Sequence, residues 1–290
     1  MLSKRLYLIF GSGAIFMFVL VVFFLPRESR WVSVFIIPWV VLLVMTYIFS
    51  PQVDWWWYQR NPPELPGSLG NLFLKYMPFY QDLSVANKKR FRQRVAMYLQ
   101  ARGFFAKRGS EDGEVPLDMK AIIAANVVML TFGRKDFILK DFERIFIYLQ
   151  AFPSPNHQYL HAAELNKEDD CVLLSGEHVM LSFRQPRRFY NVMVHIFANA
   201  YQLCFPTYDY PSFEEFMWEG WGQAATVKYL GIPEEEMNKF GVAANYFFHF
   251  PRQLKENNSR TFDIFCGIFN LNPLNKKDPV VDKTEVANVP

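Results

Sequence analysis

His195 and Asn199 stand four residues apart in the mostly apolar stretch YNVMVHIFANAYQ. Residues at this spacing lie on one face of an α-helix, one turn apart. In the pattern H-E-x-x-H, two histidines so placed bind Zn²⁺, and the glutamate after the first is the general base that activates water. Here Ile196 occupies the position of the base and Asn199 that of the second histidine. The stretch therefore carries one of the three groups that such a zinc site requires.

A second pair of histidines, His157 and His161, has the same spacing, and Glu164 follows three residues later. On a helix these three side chains would form a set of zinc ligands, so they are the other metal candidate. The surrounding sequence PSPNHQYLHAAELNKEDD is polar and contains prolines, and no glutamate follows His157 directly. We therefore expect a solvated loop here.

Three cysteines, Cys171, Cys204 and Cys266, are far apart in the sequence and include no C-x-x-C pair. This spacing excludes a zinc ribbon and a redox-active dithiol. Scattered cysteines in an odd number are typical of a protein in a reducing compartment.

The elements that must position the candidate residues begin at about residue 84. Ser84 precedes an apolar stripe at helical spacing that ends at Gly103, which predicts an N-capped helix. Residues 117–132 are apolar on nearly all sides, which predicts a buried central helix. Further helices are expected around His195 and at residues 214–229 and 237–248, and strands at residues 144–149, 171–175 and 178–183. The predicted fold class is α+β, mostly helical, with a small β-sheet.

Two long stretches without charge precede this part of the chain. Residues 6–26 and 31–53 are each long enough to cross roughly 30 Å of hydrocarbon. A cleaved signal peptide is disfavoured, because no small-x-small cleavage site follows the first stretch and a second apolar stretch begins after Arg30. Residues 1–53 are therefore predicted to form a hairpin of two transmembrane helices with a tight turn at residues 26–30.

The run Trp55-Trp56-Trp57-Tyr58 follows the second stretch, where indole rings favour the lipid headgroup layer. Prolines at positions 62, 63 and 66 then predict a stiff segment, so residues 54–66 are expected to be a juxtamembrane linker. The remaining chain is expected to divide into a folded domain at residues 67–275 and a polar, disordered tail at residues 276–290.

Charge outside the membrane stretches is balanced. Four of the 31 basic residues and one of the 28 acidic residues precede position 51, and subtracting them leaves 27 of each sign. This balance excludes binding driven by neutralising nucleic-acid phosphates. The basic cluster KKRFRQR at residues 88–94 is interpreted as a solvated helix face, with contact to anionic lipid headgroups as the alternative. Lys4 and Arg5 favour a hairpin with both ends in the cytoplasm.

The order of these pieces resembles that of the MtfA-like zinc peptidases, which have a zincin fold. NVMVHIFAN is similar to the family's site helix N-x-x-x-H-E-F-A-H, with matches at Asn191, His195, Phe197 and Ala198. FGVAANYFF, from Phe240, is similar to the family's F-A-V-x-x-E-Y-F-F helix, and FDIFCGIFNLNP resembles its closing helix. The likeness runs from about residue 70 to about residue 275 and implies a zincin-like domain.

The same resemblance implies where the family's other functional groups fall. The third zinc ligand, a glutamate two residues before the F-A-V step, corresponds to Asn238, although a shifted register would present Glu236. Tyr229 is similar in position to a tyrosine that polarises the substrate carbonyl, but its spacing to Phe240 differs by two residues. One imidazole and neutral amides hold Zn²⁺ too weakly for catalysis, and isoleucine cannot accept a proton from water.

The sequence therefore predicts a membrane-anchored pseudo-peptidase with a binding or regulatory role, located in the inner (cytoplasmic) membrane with its soluble domain in the cytoplasm. Its expected partners are the lipid bilayer and a protein or peptide in the former active-site groove, without nucleic acid and without a cofactor. The alternative is an active membrane-bound zinc peptidase with atypical ligands. Those ligands would be His195 with Glu236, or the pair His157 and His161, and only then is zinc expected.

Overall fold

The structure, a computed structural model, describes residues 2–24, 31–108 and 111–281. The chain divides into two compact units, Met1–Pro63 and Glu64–Pro290. The expected turn at residues 26–30 and the last part of the expected tail, residues 282–290, lie outside the described residues.

The first unit contains the helices α1 (Leu2–Phe24), α2 (Trp31–Ile48) and α3 (Ser50–Arg60). Within the described ranges, Leu2–Phe23 is the one helix that by itself is long and apolar enough to cross a membrane. The second candidate span is a bent pair, because Ile36–Ile48 and Ser50–Arg60 meet at 66° and pass the same test only together. Pro51 lies at the break, where it lacks the N–H that would continue the helix.

The aromatic run at residues 55–58 lies inside α3 rather than in an extended linker. Helix α3 is held to the start of α1, where the N–H and the hydroxyl of Ser3 both donate to the Asp54 carboxylate, at 2.8 and 2.6 Å. Within α3, the guanidinium of Arg60 lies 3.9 Å from the centroid of the Trp56 ring. The linker expected over residues 54–66 is therefore helical as far as Arg60.

The second unit contains ten α-helices, two 3₁₀ helices and five strands among its described residues. The α-helices are α4 (Gly67–Tyr76), α5 (Pro78–Asp82), α6 (Val85–Ala101), α7 (Leu117–Leu130), α8 (Gly176–Arg184), α9 (Val192–Cys204), α10 (Gln223–Leu230), α11 (Lys239–His249), α12 (Pro251–Asn257) and α13 (Ser259–Phe269). The strands are β1 (Gly103–Arg108), β2 (Glu111–Gly113), β3 (Arg144–Tyr148), β4 (Ala163–Asn166) and β5 (Cys171–Ser175).

The strands form one sheet in the order β2-β1-β3-β5-β4. The three central strands are parallel, and both edge strands run antiparallel to their neighbours. The strands predicted at residues 144–149 and 171–175 are confirmed as β3 and β5. The predicted α+β class, mostly helical with a small sheet, is confirmed as well.

The strand predicted at residues 178–183 is wrong, because this stretch belongs to helix α8. Val179 and Phe183, four residues apart, are both buried and form the inner face of that helix. A run of six residues such as HVMLSF is too short for its periodicity to separate helix from strand. Packing of the Val179 and Phe183 face therefore decides the conformation.

The helix expected over residues 214–229 is interrupted. Glu215–Trp218 forms a 3₁₀ turn, and α10 begins only at Gln223. Gly220 between them has a φ of 100°, a backbone conformation that residues with a Cβ rarely adopt. The helix expected at residues 237–248 is confirmed as α11.

Helix α7 is the centre of the core. Every residue from Ala121 to Leu130 is buried, which confirms the predicted central helix. Helices α6 and α9 pack against α7, and α11 packs against α9. Ser84 caps α6 as predicted, since its side chain accepts a hydrogen bond from the Asn87 N–H. The helix that carries His195 is thus packed on both α7 and α11.

Arg94 is not part of a solvated helix face. The residue is 8% exposed, and its guanidinium donates to the carbonyls of Thr131, Phe132 and Arg134 at 3.2, 2.9 and 2.7 Å. These carbonyls belong to the C-cap of α7, Thr131, and to the turn that follows it, so Arg94 fixes the chain where it leaves α7. Burial lowers the pKa of this guanidinium to about 9. The interpretation of residues 88–94 as a solvated face is therefore wrong for Arg94.

Residues 271–281 are folded back on the domain. Leu271 is buried and pairs with Val280 in an isolated bridge. The N–H of Ser84 donates to the carbonyl of Lys277 at 3.0 Å, which ties this segment to the start of α6. The expectation of a disordered tail from residue 276 therefore does not hold as far as residue 281.

Candidate functional site

The N-terminus of α9 is fixed by Asn191. Its Oδ1 accepts hydrogen bonds from two N–H groups in the first turn of the helix, both at 3.1 Å. Its Nδ2 donates to Asn126 Oδ1 on α7 at 3.0 Å, and its carbonyl accepts from Nδ2 of Asn245 on α11, also at 3.0 Å. Three helices are thus joined at one buried asparagine, which fixes the position of His195 one turn further along.

His195 lies in the core and is 2% exposed. Its Nδ1 is 2.8 Å from the hydroxyl of Tyr190. Burial lowers the pKa of the imidazole to about 4 and raises the pKa of Tyr190 well above its usual value, so both groups are neutral at pH 7. His195 is therefore an uncharged residue with one ring nitrogen already in a hydrogen bond.

Helix α11 approaches the His195 ring through Gly241. A Cβ built on Gly241 would lie 2.6 Å from His195 Nδ1 and 2.9 Å from its Cε1, closer than real Cβ atoms come to such neighbours. The absence of a side chain at this position is what lets the two helices meet. The imidazole is consequently enclosed by Tyr190 and by the backbone of α11.

The two positions that follow His195 in the zinc pattern carry no titratable group. Ile196 is 3% exposed and belongs to the apolar core. Asn199 is partly exposed, and its Oδ1 is a buried acceptor without a hydrogen-bond partner in the described structure. The site therefore offers a neutral amide oxygen where the family pattern has a second imidazole, and no base between the two.

Asn238, at the position of the third ligand, is the N-cap of α11. Its Oδ1 accepts from the N–H of Gly241 at 3.1 Å, and its Nδ2 donates to Gln202 Oε1 on α9 at 3.2 Å. Gln202 lies one turn beyond Asn199, so α11 brings Asn238 beside the C-terminal half of α9. The family's third position is thus next to the other two, but its side chain is engaged in holding the two helices.

These side chains do not fit the zinc ion that the resemblance implies. A catalytic zinc requires three protein ligands and an open position, whereas His195, Asn199 and Asn238 supply one imidazole and two amides. An amide oxygen is neutral and a poor ligand for Zn²⁺ compared with imidazole or carboxylate. Across the described ranges, no group of three or more His, Cys, Asp or Glu side chains is arranged to hold a metal ion.

Tyr229 and Glu236 make contacts elsewhere. The hydroxyl of Tyr229 donates to the carbonyl of His178 at 3.3 Å, and the two rings lie 4.7 Å apart. Glu236 accepts a hydrogen bond from the Tyr159 hydroxyl and lies 3.4 Å from His157 Nδ1. In the part of the chain that the structure describes, no hydrogen bond or ion pair joins Glu236 to His195.

The segment with His157, His161 and Glu164 is not a helix. Residues 153–160 are a largely exposed loop, as expected, and the chain is buried at residues 161–164. Glu164 lies on strand β4, and the side chains of His161 and Glu164 are 1% and 5% exposed, with His161 Nε2 3.1 Å from Glu164 Oε2. His161 Nδ1 donates to the carbonyl of Tyr159 at 3.0 Å. The expectation of a solvated loop is therefore wrong for this pair, which is a buried contact between loop and sheet.

Two residues that the sequence did not single out complete the arrangement. Tyr190 pairs with His195, and Gly241 admits the close approach of α11. The sequence contained one signal for Gly241, because the family's F-A-V step reads F-G-V in FGVAANYFF. The sequence contained no such signal for Tyr190, because its hydrogen bond to His195 depends on how the chain bends before α9.

Comparison with known families agrees with this architecture. The model of the glucose-regulated metallo-peptidase M90 family matches residues 53–202, just over half of the 290 residues, and ends within α9 after the His195 region. No curated protein matches the chain. The family match confirms the resemblance to the MtfA-like zinc peptidases. It covers the sheet, α7 and most of α9 but not α11, which also packs against His195. This chain belongs to the glucose-regulated metallo-peptidase M90 family.

Proposed function

We propose that this chain is a membrane-anchored pseudo-peptidase that binds a partner in its former active-site groove without cleaving it. The observation that carries the proposal is Ile196, an apolar and buried side chain at the position of the general base. Without a base, proton transfer from water loses a factor of about 10²–10⁴ in rate. The loss of the second and third ligands adds to this, because zinc binding needs the ligand set as a unit.

A role in peptide binding is supported by the groups that remain at the groove. Asn199 keeps a buried Oδ1 without a partner in the described structure, and Asn199, Tyr229 and Asn238 are all partly exposed. A buried acceptor without a hydrogen bond costs about 1–3 kcal/mol. An N–H group of a bound peptide or protein segment would remove that cost once the Asn199 amide turns outward, because its Oδ1 is closed to solvent in this structure. The former groove therefore has a polar contact to offer a partner although it has no hydrolytic group.

The membrane anchor is the second part of the proposal. Helix α1 is long enough to span a bilayer, and the bent pair of α2 and α3 would supply the return span. Lys4 and Arg5 before the first span favour a cytoplasmic N-terminus and, with two spans, a cytoplasmic second unit in the inner membrane. Fusions of a cytoplasm-active and a periplasm-active reporter to the C-terminus test the orientation. Activity of the periplasmic reporter alone would contradict it, and release by high salt alone would contradict the spans.

Zinc content and peptide hydrolysis of the purified full chain test the loss of catalysis. We expect substoichiometric zinc and background cleavage of an unstructured peptide. The triple variant Ile196→Glu, Asn199→His, Asn238→Glu should acquire stoichiometric zinc, whereas each single change should not. Adding His195→Ala to the triple variant should abolish zinc binding and is the matched control. Activity need not return with the metal, since the introduced ligands also require hydrogen-bond partners that fix their orientation.

An active zinc peptidase with atypical ligands is the second candidate. The contacts that bear on it are those of His157 with Glu236 and of His161 with Glu164, with the centroids of the two histidine rings 5.4 Å apart. As the described residues stand, these four side chains are not arranged to hold a metal ion, so this candidate requires them to rearrange. Under this candidate the unmodified chain carries stoichiometric zinc and cleaves peptides. The double variant His157→Gln, His161→Gln would then lose zinc and cleavage if this pair binds the metal. Loss of zinc and cleavage in His195→Ala would instead show that the metal lies at His195.

A further inference from the structure

A cavity of about 690 Å³ lies in the second unit, away from the positions of the family's metal site. It is bounded by the α4–α5 corner, α7, the loop between α8 and α9, the α11–α12 corner and the folded C-terminal segment. None of His195, Ile196, Asn199, Tyr229 and Asn238 lines it. A volume of this size is typical of sites for small organic ligands.

The walls of the cavity are mainly aromatic. Tyr76, Phe79, Phe183, Phe248 and Phe250 line it, together with four prolines from four different segments. Phe183 is 4% exposed, whereas the other four rings are partly exposed and so have apolar surface that a ligand can cover. Apolar walls of this kind supply most of the affinity for a small ligand, and a few polar groups set its orientation.

The buried polar groups at the floor are already in use. Asn126 and Asn191 are joined at 3.0 Å, and Asn126 Nδ2 also donates to the carbonyl of Ile122 at 2.9 Å. Ser182 donates to the carbonyl of His178 at 2.7 Å. The ligand must therefore find its polar contacts at the rim of the cavity.

Charge at the rim favours an anion. Three basic and two acidic side chains, all exposed, line the cavity: Arg187, Arg252, Lys276, Asp82 and Glu256. Lys276 is paired with Asp82 at 3.2 Å. This leaves two arginines against one glutamate, and neither arginine has a hydrogen bond or ion pair within the described residues. Arginine binds carboxylates through two parallel N–H donors, which gives it geometric selectivity for that group.

His249 adds a hydrogen-bond acceptor. Its Nδ1 lies 3.0 Å from the carbonyl of Asn245 and must donate, because a carbonyl oxygen can only accept. Burial, together with the nearby Arg187, lowers the pKa of His249 to about 4, so that Nε2 of the neutral ring carries a lone pair at pH 7. A ligand with an N–H or O–H group would satisfy it.

We propose that this cavity binds a small amphipathic carboxylic acid with an apolar, aromatic-sized body and a hydrogen-bond donor such as an acylated amine. The carboxylate pairs with Arg187 and Arg252, the body packs between the aromatic walls, and the donor contacts His249. The proposal is independent of the pseudo-peptidase proposal, because none of the residues proposed to contact the ligand belongs to the former zinc-ligand set. Asn191 lines the cavity and also caps α9, but its side-chain oxygen and nitrogen are already hydrogen-bonded.

The test uses the full chain in lipid nanodiscs and the probe N-acetyl-4-fluorophenylalanine, observed by ¹⁹F NMR, with empty nanodiscs as the blank. The ¹⁹F resonance of the acid should broaden in a saturable way. Its carboxamide analogue should bind at least about tenfold more weakly, because the charge-assisted hydrogen bonds are lost. The double variant Arg187→Gln, Arg252→Gln should weaken binding of the acid to the same degree.

The matched control is the double variant Arg184→Gln, Arg260→Gln, which changes two exposed arginines that do not line the cavity. It should bind the acid like the unmodified chain. All four arginines are exposed, so melting temperatures should stay unchanged in both variants. Equal binding of the acid and its carboxamide, equal weakening in both double variants, or the lack of saturable binding would each overturn the proposal.

Discussion

The imidazole of His195 lies directly against the α-carbon of Gly241, where a methyl group would come within 2.6 Å of Nδ1. A glycine-to-alanine change inside a helix normally stabilises it by about 1 kcal/mol. Here the sign should reverse, because Nδ1 is already bonded to the Tyr190 hydroxyl at 2.8 Å and the new Cβ would also lie 2.9 Å from the backbone carbonyl oxygen of His195. The contact between α9 and α11 therefore depends on the absence of a single Cβ.

Gly241→Ala should lower the free energy of unfolding by about 1–3 kcal/mol, the usual cost of overpacking a core. Gly67→Ala is the matched control, because a Cβ at Gly67 meets no atom within 4 Å. The control should be neutral or slightly stabilising. Thermal unfolding followed by circular dichroism measures both. An equally stable Gly241→Ala variant would show that α11 can move away from His195 without loss.

The stability of the chain should fall in mild acid because of His195. The unfolded imidazole titrates near 6.5, whereas burial lowers the folded pKa to about 4. The unfolded state therefore binds more protons below pH 6.5, and stability is lost as the pH falls from 6.5 towards 4, by roughly 3 kcal/mol at most. Urea unfolding at pH 7 and pH 4.5 measures this loss.

His195→Gln should reduce the difference in stability between the two pH values. Burial also lowers the pKa of His249, but this residue is present in both proteins. The comparison therefore isolates the contribution of His195. An unchanged difference would mean that the His195 ring is already accessible to protons in the folded state.

Arg94 should contribute more to stability than any lysine on the same helix. Arg94→Met removes hydrogen bonds to three carbonyls in the turn that follows α7, and we expect a loss of about 2–4 kcal/mol. Lys89→Met changes an exposed residue of α6 and should stay within about 0.5 kcal/mol. Chemical unfolding of both variants provides the comparison, and equal losses would assign Arg94 to the solvated face.

Removal of metal should leave the fold intact. The second unit is large enough for its own hydrophobic core, and α7 is buried along most of its length. A chelator should therefore leave the melting temperature unchanged, and added zinc should not raise it, since a ligand stabilises only a state that binds it. A drop of many degrees with chelator would reveal a structural metal.

The elements that could be predicted from the sequence are those with a long apolar run or a distinct capping residue. α7 follows from an apolar run that is too continuous for a surface helix, and the cap at Ser84 follows from its side-chain chemistry. β1 was missed because it begins at Gly103, where the helix was predicted to stop. β4 was missed because its four residues, AELN, lie in a polar segment and pair only through the edge of β5.

The chemistry of the candidate site was readable from residue types, but its geometry was not. Ile196 cannot be a base wherever it lies, so the sequence was sufficient for that inference. Asn238 stands at the position of the third ligand, but it serves as a helix cap, and that role depends on where α11 begins. The contact between Glu236 and His157 joins residues far apart in the chain. Such contacts are set by tertiary packing, which leaves no periodic signal in the sequence.

The folded C-terminal segment makes the cavity sensitive to proteolytic trimming. A protease that removes the residues after Asn270 takes Pro273, Leu274 and Lys276 from the cavity lining. Asp82 then loses its cation, and the rim carries two acids against two arginines. Removal of the 20 residues from Leu271 to Pro290 would thus turn an anion-selective cavity into a wider cleft without charge preference.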